Sequence, residues 1–190
     1  MRKFALQVGV LLLPVFKRSR VSHLVLLMGA FVVISSYSCA EGMRPAWHSS
    51  ELIDVRTGEA FTLATFTGKT VFVQPMATWC IRCKRQLISV AEASLELPPE
   101  EVVFLALSVE GNLPARRLVS YAESNGWTWT FAVATTDLLI ALVDSFGHTV
   151  TNPSATPHFL ISPEGVTGSL STGLVGPDDI VTYVRQDLVP

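Results

Sequence analysis

Trp79-Cys80-Ile81-Arg82-Cys83-Lys84 sets two thiols two residues apart, behind the apolar stretch Thr70-Val71-Phe72-Val73-Gln74. That stretch reads as a strand and the residues after the pair read as a helix, so Cys80 falls on a first helical turn. Unpaired backbone N–H groups and the helix macrodipole there favour the thiolate over the thiol. Arg82, Lys84 and Arg85 push the same way. Thiols in such settings fall from about 8.5 into a range of roughly 3.5–7.5. The chemistry implied is thiol–disulfide exchange. Cys80 is the attacking nucleophile, and Cys83, one turn on, attacks the mixed disulfide so formed and closes an internal disulfide. This needs no cofactor. With three cysteines in the chain, the pair lacks the second pair a structural zinc site would require, so no metal is assigned.

The elements that must hold this pair alternate between strand and helix, the pattern of an α/β fold with a central sheet and flanking helices. Asp54 to Thr62, with Gly58 inside it, predicts an edge hairpin, and Gly68-Lys69 turns into the first core strand. The helix after Cys80 carries Leu87, Ala91 and Leu95 and stops at Pro98-Pro99. Val102 to Val109 is a continuous apolar run, as a strand covered on both faces requires. Leu113 to Asn125 and Asp137 to Phe146 predict helices ended by Gly126 and Gly147, with a short strand from Phe131 to Ala134 between them. His158 to Ser162 and Val166 to Ser171 flank the turn Pro163-Glu164-Gly165 and predict an antiparallel hairpin. A last helix starts after Pro177, with Asp178 and Asp179 in its first turn and Arg185 in its last. The 190 residues and their 49% apolar content suffice for one such domain with a real core.

The N-terminus has a different composition. Arg2, Lys3, Lys17, Arg18 and Arg20 precede the apolar run Leu24 to Ile34, and no acid occurs before Glu41. With its flanks from Val21 to Cys39 the run approaches the roughly 20 residues that span a bilayer. By the positive-inside rule the basic residues stay in the cytoplasm and the chain beyond residue 40 is exported, to the outer face of the cell membrane or past it. Three endings are open. Ser36 and Ser38 suit a cleavable signal peptide. Cys39 resembles the lipid-acceptor cysteine of bacterial lipoproteins, with Ser36 where that motif usually has Leu. An uncleaved anchor needs no motif. Each ending puts the pair where disulfides persist. The expected organisation is a signal peptide or membrane anchor over 1–40, a polar tether over 41–50 and the folded domain over 51–190. Beyond the leader, nine basic residues face sixteen acidic ones. A domain this acidic argues against nucleic acid as a partner.

Gly68-Lys69, Ala77-Thr78-Trp79-Cys80 and Thr156-Pro157-His158-Phe159-Leu160-Ile161, taken with the order of elements, resemble the thioredoxin-like superfamily. The likeness runs from about residue 51 to 188 and is nearest to its membrane-tethered bacterial branch of TlpA and ResA type. It implies a thioredoxin-like fold with a mixed sheet and an N-terminal edge hairpin. It implies a redox-active Cys80–Cys83 disulfide, a cis Pro157 lying against the pair, a Thr156 backbone that pairs with the substrate chain, and a Trp79 that shields the thiols. It also implies an extracytoplasmic reductant of protein disulfides, serving cytochrome c maturation or copper-site assembly and drawing electrons from a membrane thiol donor.

The chain departs from this pattern at two carboxylates. Gln74 and Gln86 stand where the family often has a buried acid six residues before the first cysteine and, in ResA-like members, a glutamate three residues after the second. An amide cannot accept the proton that Cys83 must lose. Glu110, past the end of the Val102–Val109 strand, lies at the sheet edge where the pair should sit and is the candidate general base. His158 and His148 are the other titratable candidates; His158 is read first as a core or rim histidine. The competing function is a Cu(I) carrier using both thiolates and a histidine such as His158. A peroxidase of the peroxiredoxin kind fits poorly, since Pro75 and Thr78 have the wrong spacing before Cys80.

Overall fold

The computed structural model describes residues 44–188. The apolar leader, Cys39 and the first residues of the expected tether lie outside them. Among the described residues no helix is long and apolar enough to cross a membrane.

Four strands make the main sheet: β3 (Thr70–Met76), β4 (Val102–Ser108), β5 (Thr130–Val133) and β6 (Phe159–Ile161), in the order β5-β4-β3-β6. β3 runs parallel to β4, and β4 to β5, while β6 is antiparallel to β3. Every residue of β3 is buried, as a central strand covered on both faces must be. A separate pair, β1 (Leu52–Ile53) and β2 (Ala60–Phe61), forms the expected edge hairpin.

Strand alternation splits the core in two. Val71, Val73, Leu105, Leu107, Ala132, Phe159 and Ile161 point to one face, where they meet Leu138 and Leu142 of helix α3 (Thr136–Phe146). Phe72, Phe104, Ala106, Phe131 and Leu160 point to the other. That second face is covered by α1 (Ile81–Ala93), α2 (Ala115–Ser124) and α4 (Pro177–Leu188), which bury Leu87, Val90, Leu118, Ile180 and Val184.

Three expectations are corrected. The tether does not run free to residue 50: Ala46–Ser49 is a 3-10 turn, and Trp47 and His48 are buried. Trp47 closes the α3 face, stacking edge-on against Phe159, and its indole N–H donates to Ser145 Oγ at 3.1 Å. A large aromatic outweighs the polar residues around it, because burying it removes so much apolar surface from water. The return limb of the hairpin is not a regular strand. It pairs with β6 through bridges Ile161↔Thr167 and His158↔Ser171, and the register slips by one residue between them, a bulge that breaks the ladder around Gly168. Pro157 is not cis, for the described residues contain no cis peptide bond. The chain instead turns at Thr156, which takes left-handed φ 49 and ψ 57 after the 3-10 turn Pro153–Ala155.

Candidate active site

Cys80 is the N-cap of α1, with extended backbone at φ −83 and ψ 108. Its sulfur accepts the backbone N–H of Cys83 at 3.1 Å, so a cysteine side chain performs the capping that Ser or Asp performs elsewhere. The same N–H would stabilise a thiolate at Cys80. Cys83 pairs with Cys80 as a disulfide across a Cα–Cα distance of 5.2 Å, within the usual bridging range. Cys80 is 5% exposed and Cys83 fully buried. Beside them Trp79 and Ile81 are 64% and 73% exposed. Arg82, Lys84 and Arg85 are exposed on the helix flank.

The carbonyl oxygen of Pro153 touches both sulfurs, at 3.5 Å from Cys80 Sγ and 3.2 Å from Cys83 Sγ. In the dithiol state an S–H can donate to it, and the nearer sulfur, Cys83, is the one placed to keep its proton. Sequence reasoning missed this group. A backbone carbonyl leaves no mark in residue type, although Asn152-Pro153 does signal a turn. Asn152 Oδ1 accepts the Ser154 N–H at 3.2 Å and holds that turn in shape.

The two amides have different duties. Gln86 pairs both ends of its side chain with Val175, accepting its N–H at 2.8 Å and donating to its carbonyl at 3.3 Å, and so staples α1 to the segment before α4. Gln74 lies under the pair and donates to the Cys83 carbonyl at 3.3 Å, while its own Oε1 is buried without a partner.

Glu110 does reach the site edge, but through Thr78. Its carboxylate accepts the Thr78 N–H at 2.6 Å and the Thr78 hydroxyl at 3.2 Å. No hydrogen bond among the described residues joins it to a sulfur. Tyr121, packed against the same cluster, has its phenol pushed up to about 12, by burial first and by the Glu110 charge second.

Thr156 is fully buried and already satisfied. Its N–H goes to the Pro153 carbonyl at 2.9 Å, and its own carbonyl meets His158 Nδ1 at 3.1 Å. Both backbone groups to which the resemblance assigns substrate pairing thus carry a bond within the chain. His158 is buried, stacked on Phe72 with centroids 5.6 Å apart, and its pKa is lowered, chiefly by burial, with the Thr156 carbonyl partly opposing. It is a core histidine, held by Thr156 and Phe72. His148 is exposed in a separate 3-10 turn.

No family model matches the chain and no curated protein matches it. Solved structures do. A thiol:disulfide interchange protein of the thioredoxin family from Chlorobium tepidum superposes with a TM-score of 0.61 at 20% identity, covering 73% of this chain and 92% of that one. BsSco, a member of the Sco family of cytochrome c oxidase assembly proteins with a disulfide switch, gives 0.59 at 17%, covering 74% and 92%. An exposed lipoprotein thioredoxin from Streptococcus pneumoniae gives 0.54 at 19%, covering 72% and 98%.

Proposed function

We propose, from the thioredoxin-like fold that these likenesses establish, that the chain is an exported thiol–disulfide oxidoreductase reducing disulfides in protein substrates. The observation that carries this reading is the sulfur of Cys80 capping α1, within bonding reach of a second, buried sulfur. In the reduced protein the Cys80 thiolate attacks one sulfur of a substrate disulfide. A mixed disulfide forms, and the other substrate sulfur leaves as a thiolate that takes up a proton. Cys83 then gives up its proton and attacks Cys80 Sγ, which closes the internal disulfide and releases the second substrate sulfur. Two electrons and two protons pass to the substrate, and a thiol donor at the membrane restores the dithiol. Exposed Trp79 and Ile81 supply apolar surface for the substrate chain beside the attacking sulfur.

The reducing direction, and substrates in cytochrome c maturation or copper-site assembly, rest on the resemblance to the TlpA and ResA branch. The membrane tether rests on the basic-then-apolar leader. Copper carriage draws less support, because His158 is committed to Thr156 and Phe72. The test is equilibrium titration of the Cys80–Cys83 couple in dithiothreitol or glutathione buffers, read by tryptophan fluorescence. A single two-electron transition is expected, at a potential nearer thioredoxin's (about −270 mV) than that of a dedicated oxidant (about −120 mV). Absence of a reversible transition would remove the reading; a potential near the oxidant's would reverse its direction.

A further inference from the structure

We propose that Glu110 is a positioning residue that clamps the segment carrying Trp79 and Cys80, and is not the base that deprotonates Cys83. The inference rests on the proposed exchange chemistry at Cys80 and Cys83. Between the end of β3 at Met76 and the start of α1 at Ile81, the chain leaves the β-ladder before helical bonding begins. A partly buried backbone N–H in such a gap needs an acceptor. Glu110 supplies one to Thr78 at 2.6 Å and a second contact to the Thr78 hydroxyl at 3.2 Å, one from each carboxylate oxygen. Bonds from a backbone N–H to a carboxylate are shorter and stronger than neutral ones.

Glu110 is itself fixed. Its N–H donates to Ser108 Oγ at 3.3 Å, its carbonyl accepts from Leu113 N–H at 3.3 Å, and Val109 N–H beside it bonds to the Met76 carbonyl at 2.9 Å. The clamp therefore ties the ends of β3 and β4 to the residue two places before the nucleophile. Cys80 N–H bonds back to the Ala77 carbonyl at 3.1 Å, which leaves Trp79 as the free corner of a pinned turn. A general base must come within about 3 Å of the proton it takes, or reach it through one water. Both oxygens of Glu110 are instead spent on Thr78. Tyr121 stays neutral beside it, and no ion pair among the described residues draws the carboxylate elsewhere.

The test compares Glu110→Gln and Glu110→Ala in the full-length chain by two readouts: the rate of insulin disulfide reduction against pH, and hydrogen exchange of the Thr78 amide in the oxidised protein. Glutamine can accept the Thr78 N–H with its carbonyl and donate to the hydroxyl with its amide. Glu110→Gln is expected to keep the rate within about twofold, the pH profile and the amide protection. Glu110→Ala is expected to lose about tenfold or more in rate, as misplaced reacting groups do, and to exchange the Thr78 amide at least tenfold faster. Equal loss in both variants, with an altered pH profile in Glu110→Gln, would make Glu110 a base and overturn the clamp. Unchanged Thr78 protection in Glu110→Ala would overturn it too. Should alanine prevent folding, the Glu110→Gln pH profile decides alone. If the wild type reduces no insulin disulfide, the exchange reading has failed, and the Thr78 amide still judges the clamp.

Discussion

The two faces of the sheet differ in how completely they are satisfied. On the α3 face the clustered side chains are apolar, and the buried polar-tipped rings beside them are paired, Trp47 with Ser145 and His48 with Thr167. On the face covered by α1, α2 and α4 lie the cysteines and three buried polar atoms that have no partner among the described residues: Gln74 Oε1, Tyr121 Oη and Trp129 Nε1. Buried polar atoms are nearly always paired in folded proteins. All three belong to the side that holds the sulfurs, and Gln74 among them is bonded to Cys83 itself, so the polar groups this face leaves over reach the reactive pair, as the local departures of functional regions do.

Substitutions at the extremes break this contrast most visibly. Cys80→Ser is expected to abolish exchange, and Cys83→Ser to accumulate the mixed disulfide that wild type resolves. Non-reducing electrophoresis after mixing with a substrate shows both, and equal behaviour of the two variants would erase the assigned order of attack. On the opposite face, Trp47→Ala is expected to remove about 3–5 kcal/mol of stability, the usual loss for a buried aromatic, while the rate per folded molecule stays unchanged. Urea unfolding paired with an activity assay measures it, and a loss of rate without loss of stability would blur the division between faces.

The two glutamines sharpen the contrast within the active face itself. Gln86→Leu orphans both backbone groups of Val175 and is expected to cost about 1–3 kcal/mol. Gln74→Leu gives up one bond and deletes a stranded oxygen, so it is expected to fall within about 1 kcal/mol of wild type. The order of their urea midpoints checks this, and a reversed order contradicts it.

The smallest effect is on pH dependence. His48 and His158 both have pKa values lowered from 6.5, chiefly by burial, with Arg44's charge adding at His48. Unfolded chains therefore bind protons that the folded protein refuses as pH falls below about 6.5, so stability declines with acid through the depressed pKa values. His158→Phe is expected to flatten the midpoint's fall between pH 7 and pH 5. An unchanged slope would show that the buried imidazole makes no contribution.

Much of this architecture was legible in the sequence, and the exceptions have physical reasons. The β3–α1 junction was readable because strand, cysteine spacing and helix succeed one another over a short stretch of chain. Glu110 could be placed at the right edge from strand polarity alone, since parallel strands end together, but its partner Thr78 depends on side-chain geometry that no spacing encodes. The burial of Trp47 within the expected tether has no local signal, because the residues around it are mostly polar and its partners Phe159 and Ser145 lie far along the chain. Gln74 and Gln86 looked alike as missing acids, and only the position of Val175 shows that one of them is structural. The Pro153 carbonyl had no sequence signal, being backbone.

The most direct measurement is the rate of iodoacetamide alkylation at Cys80 and Cys83 in the reduced protein from pH 5 to pH 9, resolved by peptide mass spectrometry with glutathione as reference. Capping of α1 by the Cys80 sulfur requires a half-maximal rate at Cys80 well below about 8.5, with Cys83 unlabelled at neutral pH beneath the Pro153 carbonyl. Labelling of Cys83 first, or a Cys80 that titrates like a free thiol, would contradict the assignment of Cys80 as the activated sulfur.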